Sequence, residues 1–350
     1  MFSLQNIPLL PKKASVKNAM NTAHAAGRVS FTSAGLATIW AAAFPMTEVT
    51  TNWWVTSQSG ARALHTRVLA RPGMNRKLLQ AEAEDLLTLP VIASTLGSDV
   101  IRIRRKLRSG EAQLPVVPKD DFEYPSYYLN DFHNQRNGGL SLRSALTYEW
   151  QIRFLFMGTN RLMRQGVVDA IPVGDHLDIL DVATGPATWI RMARQQGRRH
   201  RFTGVDVSPQ YLRAAKLLNT HAEFHQMKAE ALAPEWTDRF DISTCIWLFH
   251  EMPVEAMEQA VAEMARVLKP GGTLLFMDSV QPQDVPETSS EPTNEAFHKY
   301  FNEPYFLEYS RVDLPAMFAR HGLTLEKRDR WHVSVLLTFR KAGAVNSSTT

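Results

Sequence analysis

The sequence predicts an α/β domain, built as a doubly wound and mostly parallel sheet, behind a mainly helical N-terminal region. Three observations predict it. First, residues 177–190 (LDILDVATGPATWI) read as buried strand, tight turn and helix. Leu177, Ile179, Leu180 and Val182 are an apolar strand, Thr184-Gly185-Pro186 breaks it, and Trp189, Ile190 and Met192 return at helical spacing. Second, apolar runs alternate with helical patterns down the rest of the chain. Third, Asp181 and Asp206 end the first two strands, and ligands of such folds gather at the carboxyl ends of the strands.

The 350 residues suffice for one large domain or two ordinary ones, and 44% hydrophobic against 21% charged residues predicts a packed core. A single cysteine, Cys245, excludes internal disulfides and any cysteine-cluster metal site, and it fits a reducing compartment. A formal charge of +4 permits an acidic partner without demanding one. No apolar run approaches the roughly 20 residues of a membrane span. Histidine and acid spacings suggest no metal.

Four regions follow in order. Residues 1–50 are a basic tail or a targeting segment: no acid precedes Glu48, while Lys12, Lys13, Lys17 and Arg28 lie among Ala, Ser, Thr and Asn. A cytoplasmic location is expected, or a mitochondrion or plastid if the source is eukaryotic. Residues 51–170 form the helical region, a cap over an acceptor. Leu78, Leu79, Ala83, Leu86 and Leu87 recur there at helical spacing, and Ile101–Arg108 is the most basic run, read first as a solvated helix face and second as a peripheral membrane contact. Asn137-Gly138-Gly139 marks a turn, and Leu142 through Leu162 is expected as one helix. Residues 171–341 are the α/β domain, and 342–350 a disordered tail.

Within the α/β domain Gly197 is a helix stop, and Phe202–Val207 is the second strand. Ser208 caps the next helix, with Pro209 in its first turn. Strands are expected at Ala222–Met227, Phe240–Phe249 and Thr273–Asp278. The long helix between the last two carries Val254, Met257, Val261, Met264 and Leu268 on one face. A last helix, Leu314–His321, precedes two closing strands, Leu323–Trp331 and His332–Arg340, antiparallel to each other.

A phosphate-binding turn wants bare backbone N–H groups, and a carboxylate there repels phosphate. Asp181 therefore suits a ligand carrying an ammonium or a sulfonium. Asp206, about 20 residues beyond the glycine turn, stands where nucleotide binders place an acid that accepts both ribose hydroxyls. At this point the chain resembles a family. Asp181-Val182-Ala183-Thr184-Gly185, Val205-Asp206, Ala229-Glu230, Phe240-Asp241-Ile242 and Arg266-Val267-Leu268-Lys269-Pro270-Gly271-Gly272 are similar to the ordered signature of class I S-adenosylmethionine-dependent methyltransferases, of the ubiquinone and menaquinone C-methyltransferase type and related small-molecule enzymes. The resemblance implies a Rossmann-like methyltransferase fold and S-adenosylmethionine as cofactor. It implies that Asp181 and the Ala183–Gly185 backbone, Thr184 included, hold the methionine end. Asp206 and Val207 would hold the ribose, Ala229 and Glu230 would border the adenine, and Cys245 through Trp247 would line the methyl-transfer site. The chain departs from the pattern at Ala187, where a third glycine is common, and at Lys228, where an acid or asparagine is usual.

Methyl transfer needs a base only when the acceptor must lose a proton. His250, after the fourth strand, is the candidate base, and the alternative is that His250 and Glu251 only pack around the cofactor. Tyr128, His133 and Tyr305 are candidates for an acceptor pocket, within the aromatic stretches 124–163 and 297–309. The fourth strand lacks the Asn/Asp-Pro-Pro-Tyr/Phe sequence of base-modifying enzymes, so no nucleic-acid partner is expected. The predicted function is methyl transfer to a small-molecule acceptor, lipophilic or aromatic. The alternatives are a non-catalytic cofactor-binding scaffold or assembly factor and, less favoured, an NAD-dependent oxidoreductase, whose Gly-x-Gly-x-x-Gly is replaced by Ala183, Gly185 and Thr188.

Overall fold

The computed structural model describes residues 60–68, 70–71, 74, 105, 115–134, 137–156, 158–285, 298 and 302–343. The readings made for the tail 1–50, for the helix at 78–87, for all of the basic run but Arg105, for Tyr300 and for 344–350 lie outside the described residues.

Seven strands form one sheet in the order β3-β2-β1-β4-β5-β7-β6. The strands are β1 (Asp178–Val182), β2 (Arg201–Asp206), β3 (Ala222–Gln226), β4 (Phe240–Ile246), β5 (Leu268–Ser279), β6 (Leu323–Trp331) and β7 (Ser334–Lys341). The first five run parallel, and β7 lies antiparallel between β5 and β6. The winding reverses between β1 and β4, which opens a crevice at the carboxyl end of β1. A doubly wound sheet behind a helical segment is the architecture the sequence predicts.

Strand residues alternate between two apolar layers, as a pleat requires. Ile179, Leu275, Met277 and Leu336 join one cluster with Trp189, Ile190 and Val167. Leu180, Leu274, Phe276 and Leu337 join the other with Met257, Val261 and Phe318. The helices covering these faces are α1 (residues 60–68), α2 (Leu142–Leu155), α3 (Asn160–Ala170), α4 (Thr188–Gln195), α5 (Pro209–Leu218), α6 (Val254–Val267), α7 (Phe306–Tyr309) and α8 (Leu314–Ala319). Ser208 caps α5, its hydroxyl accepting from Tyr211 N at 3.2 Å.

Three expectations are corrected. The single helix over 142–162 is two helices, because the chain passes through Gly158 at φ +77° and turns. Its second half, α3, packs into the sheet's core through Leu162, Met163, Val167 and Val168. Strand β4 stops at Ile246, not Phe249, because Trp247 takes φ +58° and turns the chain into a short 3-10 segment, Phe249–Glu251. Strand β5 begins at Leu268, because the Lys269–Gly272 run stays in the ladder as an irregularity between the pairs Phe240↔Leu268 and Ile242↔Thr273.

Gly204, in the middle of β2, is fixed by close approach. A Cβ there would stand 2.8 Å from the Phe224 ring and 2.9 Å from Thr184 Oγ1. Gly204→Ala is therefore expected to destabilise the protein by about 1–3 kcal/mol, read as a lowered midpoint in urea unfolding, and to disturb the turn after β1. An unchanged midpoint would contradict this packing.

Candidate active site

The turn after β1 is shaped by three left-handed residues, Ala183 (φ +57°), Gly185 (φ +53°) and Ala187 (φ +54°). Two of them carry a Cβ that disfavours this region. What holds them is Asp181. Its Oδ2 accepts from Thr184 Oγ1 at 2.6 Å and its Oδ1 from Thr244 Oγ1 at 2.7 Å, while Thr184 N donates to Val205 O at 2.9 Å. Burial pushes the Asp181 carboxyl up to about 6, against the pull of the two hydroxyls. Both oxygens face inward, and neither Asp181 nor Thr184 is part of the cleft wall. Against the expectation that Asp181 itself holds the methionine end, its oxygens are engaged by the two hydroxyls behind the turn, and Ala183 and Gly185 line the cleft.

Asp206 ends β2 on the opposite side of the crevice. Its Oδ2 accepts from Gly185 N at 2.9 Å and its Oδ1 from Ser208 N at 2.8 Å. One carboxylate thus ties the β1 turn to the start of α5 and keeps further lone pairs beside the cleft. Burial pushes it up to about 6, with the two backbone donors opposing. Val207, Met227 and Ala229 continue the wall toward β3, and Ile246, Trp247 and Leu248 form it at the end of β4.

The cleft is roofed by residues 123–134 and 137–139, which lie across the carboxyl edge of the sheet as a strap. Lys228 Nζ pairs with Glu123 at 2.9 Å, and Gln226 Nε2 donates to Tyr124 Oη at 3.1 Å. Tyr127 Oη donates to the Glu230 carboxylate at 2.9 Å. Asn302 Nδ2 donates to Asp131 Oδ1 at 2.9 Å. At the far end Ser208 Oγ donates to Gly139 O at 2.6 Å, and the Tyr128 ring lies so close to Gly139 that a Cβ there would be 2.8 Å from its Cζ. Tyr127, Tyr128, Phe132 and His133 face the cleft from the strap, and Tyr148 and Tyr211 close one side, their ring centroids 5.6 Å apart.

His133 sits in the strap at φ +53°. Its Nε2 is 2.8 Å from Glu251 Oε1 and its Nδ1 is 3.2 Å from Glu303 Oε1. Burial alone would lower its pKa, but the two carboxylates outweigh it and hold the imidazole up at about 10. His250 is built alike: burial opposes, Asp278 prevails, and the value is about 9, with Nδ1 2.5 Å from Asp278 Oδ1. Both rings therefore carry charge at neutral pH.

The structure brings together Ala183, Gly185, Asp206, Val207, Ala229, Trp247, Tyr128 and His133 from the residues the sequence nominated. Four others stand back. Cys245 is fully buried in β4, Glu230 is engaged by Tyr127, Tyr305 begins the short α7, and His250 is turned toward Asp278. The expectation of His250 as the base is revised, since it lies off the wall and is already protonated. Glu251, Phe132, Tyr148, Tyr211 and Met227 complete the wall. Sequence signals existed for part of this set, in the glycine turn at 137–139 and the aromatics around it, and none said that they roof the cleft. Among the described residues no group of three or more His, Cys, Asp or Glu is placed to hold a metal, and no helix is long and apolar enough to cross a membrane.

The site fits a cationic nucleoside ligand. The wall carries the Asp206 and Glu251 carboxylates and the His133 imidazole, with the Arg164 guanidinium 4.6 Å from the Trp247 ring. Ala183 and Gly185 expose backbone, Asp206 can accept hydroxyls, and Met227 and Ala229 offer an apolar slot for a flat base.

Comparison with known proteins agrees with this chemistry. Residues 179–272 match the methyltransferase domain family. A demethylmenaquinone methyltransferase of Listeria monocytogenes is 30% identical over 154 residues, which are 40% of this chain and 64% of that protein. A ubiquinone biosynthesis O-methyltransferase of Pseudomonas fluorescens is 30% identical over 102 residues, 28% of this chain and 42% of that protein. The chain thus spans less than two thirds of either relative. Among solved structures, a putative methyltransferase of Bacillus halodurans aligns with a TM-score of 0.40 at 19% identity, over 51% of this chain and 98% of that one.

Asp206→Ala is expected to weaken S-adenosylhomocysteine binding about 10- to 100-fold in calorimetry, the loss of charge-assisted hydrogen bonds worth roughly 1.5–3 kcal/mol. In the unsubstituted protein the affinity is expected to be full above the Asp206 value of about 6 and to fall as the pH drops through it, because the protonated acid accepts less well. Unchanged affinity in Asp206→Ala would remove Asp206 from the site.

Proposed function

We propose that the chain, whose residues 179–272 match a methyltransferase domain, is a class I S-adenosylmethionine-dependent enzyme that transfers the methyl group of that cofactor to a small acceptor of lipophilic or aromatic character. When bound, S-adenosylmethionine supplies a methyl carbon already made electrophilic by its sulfonium. The protein's task is alignment and exclusion of water. Ala183 and Gly185 would hold the methionine end through their backbone, Asp206 and Val207 the ribose, and Met227 and Ala229 the base. Trp247 and Leu248 would stand beside the transfer point.

The observation that carries this reading is Asp206, fixed by two backbone donors at the crevice between turn and helix, under a strap of aromatic residues. The strap supports the acceptor class. Tyr128, Phe132, Tyr148 and Trp247 offer flat apolar faces to a flat ring. The two relatives whose names refer to menaquinone and ubiquinone lend the same support.

The test is direct. S-adenosylmethionine or S-adenosylhomocysteine is expected by mass spectrometry in protein denatured straight after purification. Added S-adenosylhomocysteine at 100 times its Kd is expected to stabilise the fold by about 2.7 kcal/mol, where NAD gives no shift. A shift with NAD alone would replace this reading with an oxidoreductase.

A further inference from the structure

Beyond the cofactor site, five titratable side chains form an alternating chain of acid and imidazole: Glu303, His133, Glu251, His250 and Asp278. The links are 3.2 Å from Glu303 to His133, 2.8 Å from His133 to Glu251, 4.0 Å from Glu251 to His250, and 2.5 Å from His250 to Asp278. The two end acids are buried, Asp278 at 0% and Glu303 at 1% exposure. The central acid is not: the Glu251 side chain is 21% exposed and lies on the cleft wall beside Trp247 and Leu248. Its Oε1 meets His133, and its Oε2 makes no hydrogen bond among the described residues. From this geometry we propose that Glu251 takes the proton of the methyl acceptor at Oε2, and that the acceptor is a phenol-type hydroxyl methylated on its oxygen. The proposal rests on the methyl-transfer reading and adds to it the acceptor's functional group.

The array is expensive if it only holds the fold together. His133 is held at φ +53°, and Glu303 Oε2 is buried with no partner among the described residues. Such features persist where the surroundings over-determine them, and they cluster at functional sites. Here they fix the orientation of the one carboxylate of the array that reaches the cleft. His133 and His250 are positioning residues, each held from behind by a buried acid.

The charge balance selects the acceptor. Burial raises the Glu251 pKa, but the two imidazoliums bring it below the usual carboxylate range, so Glu251 is ionised and weakly basic. A weak base suffices for a hydroxyl, because the proton becomes strongly acidic as oxygen is alkylated. A neutral amine attacks through its lone pair and needs no base during the transfer, so a carboxylate held in place at the cleft serves a hydroxyl acceptor. The step balances: an oxygen lone pair forms the new bond to the methyl carbon, the carbon–sulfur pair returns to sulfur, and the hydroxyl proton passes to Glu251 Oε2. Both histidine rings are occupied by carboxylates and protonated, so neither competes as the base.

The test uses the full chain, methyl-labelled S-adenosylmethionine, and three probes: catechol, a prenylated hydroquinone and benzylamine. The expected result is O-methylation of a hydroxyl probe, with kcat lowered about 10²- to 10⁴-fold in Glu251→Gln. S-adenosylhomocysteine should still bind this variant, while its thermal midpoint is expected to fall somewhat, because the amide leaves His133 and His250 with one carboxylate fewer. Glu251→Asp, which keeps the carboxylate, is expected to recover part of the rate and guards against misfolding of the amide. His133→Gln should move the acid limb of kcat to higher pH, since it removes the cation that lowers the Glu251 pKa. A full rate in Glu251→Gln, methylation of benzylamine alone, methylation only at carbon, or no transfer to any probe would overturn the proposal while leaving cofactor binding intact. Failure to bind S-adenosylhomocysteine would instead overturn the methyl-transfer reading beneath it.

Discussion

The site depends on one carboxylate accepting two backbone N–H groups. Asp206 takes Gly185 N on one oxygen and Ser208 N on the other. The first bond reaches from β2 to the turn after β1, and the second closes the chain into the cap of α5. Through them two neighbouring strands of a parallel sheet share one rigid edge. Burial disfavours the charge, and charge-assisted hydrogen bonds to backbone offset it only in part. A group held ionisable against its surroundings at a crevice is what a ligand site looks like, since an apolar residue would stabilise the empty edge better.

Asp181 shows the other use of the same residue type. It stands at the matching position of β1, more deeply buried at 1% exposure against 9%, and its oxygens turn to two threonine hydroxyls behind the turn. The difference follows from what surrounds each strand end. Thr244 of the adjacent β4 faces Asp181 across the ladder, in register with it. Among the described residues no hydroxyl side chain bonds Asp206, so backbone donors hold it from the flanks and the cleft side is left for a ligand. The strained alanines at 183 and 187 are then intelligible. Left-handed backbone costs an alanine roughly 1–2 kcal/mol, and the bonds that Thr184 makes to Asp181 and Val205 hold it there.

Much of the sheet was legible because its signals are local. Apolar runs and the Ser208-Pro209 start each act within a few residues. Strand ends were less legible, because Trp247 turns left-handed inside an apolar run and tertiary packing, not propensity, decides that. Asp206 was legible by its position at a strand end. The roof was not. Tyr127 and Glu230 lie 103 residues apart, and His133 and Glu251 lie 118 apart, so no window of sequence contains both members of either pair. The break at Gly158 was hidden for the opposite reason: helical periodicity continues on both sides of one glycine.

The roof also explains why the acceptor side can be argued from charge at all. In an open cleft, solvent would screen Glu251 and His133, and their pairing would contribute little. Under the strap both are largely removed from water, so each carboxylate must be matched by a cation within a few ångströms. The alternation from Glu303 to Asp278 places a charge of opposite sign on both sides of each of the three inner members, His133, Glu251 and His250. It leaves the exposed oxygen of the middle acid as the group that meets whatever enters. An acceptor bearing a free cation would compete with His133 for Glu251 and loosen the strap that excludes water. A neutral hydroxyl would not, because it donates to Oε2 while Oε1 stays with the imidazole. Under the proposed O-methylation, closure of the roof and acceptance of a proton are compatible when the entering group is uncharged.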